Sequence, residues 1–193
     1  MKYRDVLEKA DAHFRRAMTA QPEHFECRKG CTLCCFGLFE VSKLDVSLLE
    51  SGVGSLSESE RRRVVAESET VLAAHPHPED WSSVSDSERD RFFEETAAVK
   101  CPFLDRRGAC SIYENRPLLC RTFGLPIKDG TKYIGDECEL NFTAASRSEK
   151  EKAAWDLADE NSVDGRDEIT IPQAVVHLAK LRKRPGTRRA KRS

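Results

Sequence analysis

Apolar side chains recur at helical spacing from the start of the chain. Val6, Ala10, Phe14 and Ala17 share one face of residues 3–19, which predicts a first helix. Phe36-Gly37-Leu38-Phe39-Glu40-Val41 reads as a short extended segment, and Ser42 with Asp45 forms an N-cap pattern opening a short helix that stops near Gly52. Further capping patterns are Ser57 with Glu60, Ser85 with Glu88, Ser148 with Glu151, and Thr170 with Gln173. In each, the hydroxyl can accept from a free backbone N–H while the later side chain reaches back. Pro172 suits a first helical turn, where its missing donor costs nothing. Apolar residues follow each cap: Val64, Val65, Val71 and Leu72, then Phe92 and Phe93, then Ile171, Ala174, Leu178 and Leu181.

Breaks separate these stretches. His75-Pro76-His77-Pro78 interrupts regular structure and predicts exposed histidines, whereas His13 and His177 fall on helices and read as structural. Asp105-Arg106-Arg107-Gly108 predicts a turn between two short strands, each carrying a cysteine. Asp129-Gly130, between Ile127 and Tyr133, is a two-residue hairpin signal. No fixed-period repeat is present. The expected organisation is an N-terminal helix over 1–23 and a cysteine-cluster unit over 24–140, with a helical insertion at about 42–97. C-terminal helices over 141–181 pack on the same domain, and 182–193 form a basic tail.

Composition narrows the setting. The 193 residues are 39% hydrophobic and 34% charged, enough for one domain with a core. No apolar run approaches the ~18 residues of a membrane span, and the charged N-terminus lacks the pattern of a secretory signal. A cytoplasmic protein is expected. Net charge is −1, but Lys180 to Ser193 hold eight basic residues and no acidic ones, leaving 24 basic and 33 acidic side chains in residues 1–179. Such a block can bind nucleic acid or acidic surfaces; the plainer reading is a solvated, disordered end.

Eight cysteines change the picture most. In a reducing compartment they read as metal ligands or redox groups before structural disulfides. Cys27, Cys31, Cys34 and Cys35 lie within nine residues, a spacing that lets a tight loop aim several soft sulfurs at one point. The adjacent Cys34 and Cys35 point apart if extended, so either a turn gathers both or one serves a second site. Cys101, Cys110, Cys120 and Cys138 are spread more widely, and Pro117 can begin a helical turn that carries Cys120 inward. Arg116 and Arg121, with Tyr113, stand beside these ligands. The arginines can bond the sulfurs or offset their charge, or simply pair with surface carboxylates.

The Cys27–Cys35 cluster, Cys101-Pro102-Phe103-Leu104, and the Cys-x-Ile-Tyr-x-x-Arg-Pro-x-x-Cys-Arg-x-Phe run from Cys110 to Phe123 occur in order. Over roughly residues 24–140 the combination resembles the YkgJ-type cysteine-cluster family, described as zinc- or iron-chelating. The resemblance implies all eight cysteines as ligands, and an iron–sulfur cluster through flagellin lysine methylases that carry the same domain. It assigns no general reaction. The expected fold is mainly α: a small irregular domain with cysteine-bearing loops and one or two short hairpins around a metal centre. An iron–sulfur cluster of the 4Fe-4S kind is the leading expectation, serving electron transfer or a modification enzyme, with zinc as the alternative.

The same residues admit rival readings. Cys27-x3-Cys31-x2-Cys34 has radical S-adenosylmethionine spacing, but the chain predicts no succession of strand–helix units. A non-radical methylase lacks a glycine-rich loop after a strand. A zinc module using its basic tail on nucleic acid lacks interleaved aromatics. His24 lies near the first cluster and can ligate or donate to it. No catalytic set is identifiable, and an unknown protein partner is compatible with either metal.

Overall fold

The computed structural model describes residues 2–28, 30–78, 81–136, 138–161, 163 and 168–183. Its elements run α1 (Tyr3–Ala20), β1 (Glu40–Ser42), α2 (Lys43–Ser55), α3 (Glu58–Ala74), α4 (Asp86–Glu95), α5 (Leu118–Thr122), β2 (Pro126–Asp129), β3 (Lys132–Asp136), α6 (Arg147–Ala153), β4 (Trp155–Asp156), α7 (Leu157–Asn161), β5 (Glu168–Thr170) and α8 (Ile171–Lys183). The fold is mainly α, with two small sheets.

The caps start the helices as their chemistry requires. Ser42, Ser57 and Ser85 accept from the backbone N–H of Asp45, Glu60 and Glu88, and those carboxylates bond back to the cap. Thr170 N–H and Oγ1 both donate to Gln173, at 2.8 and 3.1 Å. The sixth helix departs from expectation: its cap is Ser146 with Glu149, not Ser148 with Glu151. Because the helix must end at Ala153 to enter β4, a start at Ser148 would leave barely one turn.

Gly52 does not stop α2, which continues to Ser55. A Cβ at Gly52 would lie 2.9 Å from both Cβ and Cγ2 of Ile112, so the glycine admits the segment carrying Cys110 against the helix. The β2–β3 hairpin forms, but its two loop residues are Gly130 and Thr131, because Asp129 already pairs with Lys132. The strands expected around Asp105–Gly108 reduce to one bridge, Leu104 with Cys110. β1 pairs antiparallel with β5, and β4 adds parallel to β2.

Two cores result. The first gathers Leu49, Val53, Val64, Phe103, Ile112, Ala174 and Val175, where α8 packs on α2 and α3. The second joins Val6, Ala10, Leu118, Leu125, Phe142 and Trp155, where α1 packs on α5. His77 is half-buried, not exposed, because its ring packs edge-on to Trp81 and Phe92, and burial holds its pKa down. His13 is structural: Nε2 bonds the Ala153 carbonyl at 2.9 Å. No helix among the described residues is long and apolar enough to cross a membrane. The basic tail expected over 182–193 lies outside the described residues from position 184 onward.

Candidate metal centre

The first cysteine segment leaves α1 through a turn at Pro22–His24 and folds back on itself, with Cys31 N–H donating to Arg28 O at 2.9 Å. Leu33–Cys35 then form one turn of 3₁₀ helix. Successive side chains on such a turn are about 120° apart, which resolves the geometry of the adjacent pair: both Cys34 and Cys35 reach one cavity. The next segment is stitched directly to this turn. Cys101 N–H donates to Cys35 O at 2.8 Å, and Phe36 bridges Lys100. Asp105 Oδ1 accepts from the N–H groups of Arg107 and Ala109, both at 2.8 Å, closing the loop that returns Cys110. Pro117 precedes α5, which presents Cys120.

These segments surround a cavity of about 550 Å³. Cys27, Cys31, Cys34, Cys35, Cys101, Cys110 and Cys120 line it. Phe103, Ile112 and Ile171 enter its wall from the first core, and Phe14 from the second, so the thiols occupy the seam between the cores. Cys138 is buried and does not line the cavity; it interacts electrostatically with Cys27. All eight cysteines are free thiols. Among the described residues, no three His, Cys, Asp or Glu side chains converge tightly enough to grip a single ion.

Burial governs the thiols. It pushes Cys101 up to about 12, raises Cys27 and Cys110, and carries Cys120 well above its ordinary value. Cys34 is the exception: a hydrogen bond from the Cys35 thiol lowers it, with help from the Arg116 charge, while Cys35 is raised in return. Such a set is reluctant to ionise unless a cation compensates, so metal loading would release protons. The donors are soft and numerous, which fits zinc or an iron–sulfur cluster.

The flanking arginines act through charge and architecture. Arg116 Nη2 bonds Asp11 Oδ1 at 2.8 Å, and Arg121 Nη1 bonds Asp11 Oδ2. Arg121 also bonds the carbonyls of Arg116 and Glu114, at 3.1 and 3.0 Å. Both line the cavity, yet the hydrogen bonds found for them go to Asp11 and to carbonyls, not to sulfur. Tyr113 is 58% exposed at the mouth, with the Arg116 guanidinium 4.1 Å from its ring centroid. His24 stays off the cavity wall; its ring lies against Phe142 and its Nε2 is 3.7 Å from Glu149.

Two residues emerge that sequence reasoning missed as site elements. Asp45, read only as a capping partner, is 4% exposed and accepts from Leu118 N–H at 3.0 Å and from the Tyr3 hydroxyl. It fixes the start of the helix that carries Cys120. Asn141 is 3% exposed and donates to Cys27 Sγ at 3.3 Å. Neither has a spacing that would mark it in the sequence.

A cavity ringed by thiols from several loops, set between two helical cores, defines a cysteine-cluster metal-binding protein. The comparison with family models agrees: the chain belongs to the CxxCxxCC family, "Putative zinc- or iron-chelating domain", whose model matches residues 26–139, more than half of the chain. No curated protein and no solved structure matches it.

Proposed function

We propose that the protein carries an iron–sulfur cluster, of the four-iron kind, on the thiols of the seam cavity. Metal binding belongs to the family; the cluster is our reading. The observation that carries it is a cavity of about 550 Å³ lined by seven thiols from several loops, more soft donors than one zinc ion takes. Zinc in a tetrahedral site needs four donors at ~2.0–2.3 Å from a single point, whereas a cluster spreads its ligands over several irons. The cysteines supply soft anionic donors, and Arg116 offsets part of the negative charge they would accumulate. The cavity reaches the surface at exposed Tyr113, which suits electron transfer to a protein partner or support of a modification enzyme.

Anaerobic purification followed by metal and acid-labile sulfide analysis tests the reading. Brown protein with stoichiometric iron and sulfide is expected. Colourless protein with zinc and no sulfide would overturn the cluster and leave a zinc-held fold, the alternative that the same thiols and the same family admit.

A further inference from the structure

Asn141 lies beyond the residues matched by the family model, yet its side chain reaches back to the thiol nearest the start of the cluster. Its two amide hydrogens have two acceptors: Gly124 O at 2.8 Å and Cys27 Sγ at 3.3 Å. Its Oδ1 accepts from Glu26 N–H at 2.9 Å, one residue before that cysteine. The carboxamide is therefore fully engaged and cannot turn over without placing its oxygen against a carbonyl and a sulfur. Its orientation is held from both sides. Phe142 adopts φ +56, unusual for a residue with a Cβ, while its N–H donates to His24 O at 2.9 Å and its ring packs between His24 and Phe25. Gly124, at φ +103, leaves the room Asn141 needs: a Cβ there would lie 2.8 Å from Asn141 Nδ2 and 3.4 Å from Cys27 Sγ.

We infer that Asn141 is a positioning residue for the metal centre, an N–H donor that fixes where Cys27 Sγ stands as a ligand. A donor to sulfur draws density from the ligand and holds it in place, as outer hydrogen bonds do at other metal sites. Glu26, Cys27, Gly124 and Asn141 thus form one unit, drawn from three parts of the chain. This rests on the metal-binding reading above and adds the means by which one ligand is set.

The test uses the full chain, metal-loaded as purified without oxygen, in four forms: wild type, Asn141→Leu, Cys27→Ala and the double variant. Metal release to an excess of chelator is followed in each, together with alkylation of Cys27 located by mass spectrometry. Asn141→Leu is expected to release metal about 10- to 100-fold faster and to expose Cys27 to alkylation. In the Cys27→Ala background the same change should add nothing, because the acceptor through which it acts is gone. Equal release from wild type and Asn141→Leu, or full additivity of the two changes, would overturn the inference and leave Asn141 a structural residue. Should Asn141→Leu fail to fold, Asn141→Asp keeps the acceptor for Glu26 but loses both N–H donors, to Gly124 O and to sulfur. It is expected to release metal faster than wild type, and unchanged release would count against us. Metal-free wild-type protein would sink the metal reading itself, a result distinct from either outcome.

Discussion

The α2–α3–α8 region and the cysteine loops are stabilised by different means. In the first, capped helices bury a continuous apolar face: Leu49, Val64 and Ala174 are each 0% exposed. In the second, loops meet through isolated bridges and single backbone bonds such as Cys101 N–H to Cys35 O, and their inward groups are thiols around a cavity. The helical framework draws its stability chiefly from that apolar burial. The loops bury fewer apolar side chains, Phe103 and Ile112 among them, and gain most from a shared centre, so the same chain should show two levels of resistance to unfolding.

Removing the metal should break the contrast most. A chelator is expected to lower stability by about 4 kcal/mol relative to protein held at a thousandfold excess over Kd. Hydrogen exchange should show protection lost in residues 31–35 and 101–120 while α3 and α8 keep theirs. Uniform loss would mean that the two regions form one cooperative unit. Leu49→Ala sharpens the comparison from the other side: about 3 kcal/mol should be lost in denaturant unfolding, with metal content unchanged. Asp11→Ala strikes the link between α1 and the site, leaving Arg116 and Arg121 without their shared carboxylate. About 2 kcal/mol should be lost, and metal release should quicken as the loop carrying both arginines loosens.

Acid gives the smallest effect. The cap hydrogen bonds from Ser57, Ser85 and Ser146 hold Glu60, Glu88 and Glu149 below their ordinary values. A depressed folded-state pKa stabilises above the unfolded value and loses that contribution as pH falls through the folded one. Metal-free protein should therefore lose helicity gradually by circular dichroism below about pH 4.3, the unperturbed glutamate value. Ser57→Ala should reduce the share due to Glu60 to what the backbone N–H at that position supplies.

Much of this was legible in the sequence wherever one local interaction decides the outcome. Ser42, Ser57, Ser85 and Thr170 announced their helices because a cap needs only four residues. The pattern misled at Ser148, since Ser146 offered the same spacing and only the entry into β4 chooses between them. Gly52 looked like a stop because the partner that requires its bareness, Ile112, is sixty positions away. β1 falls at the end of the extended segment read over Phe36–Val41, whereas β4 and β5 are two or three residues long, with partners distant in sequence, and no local pattern marks them. At the candidate site, the thiols were plain from type and spacing, while Asn141 and Asp45 were not. Their roles rest on hydrogen bonds spanning 114 and 73 positions.

Tyr3 has a practical bearing. Its hydroxyl bonds Asp45, Asp45 accepts the Leu118 N–H, and Leu118 opens the short helix whose third residue is Cys120. Trimming the extreme N-terminus, or crowding it with a purification tag, would thus be felt at a sulfur far along the chain. Preparations that differ only in their leading residues can be expected to differ in metal content and keeping quality.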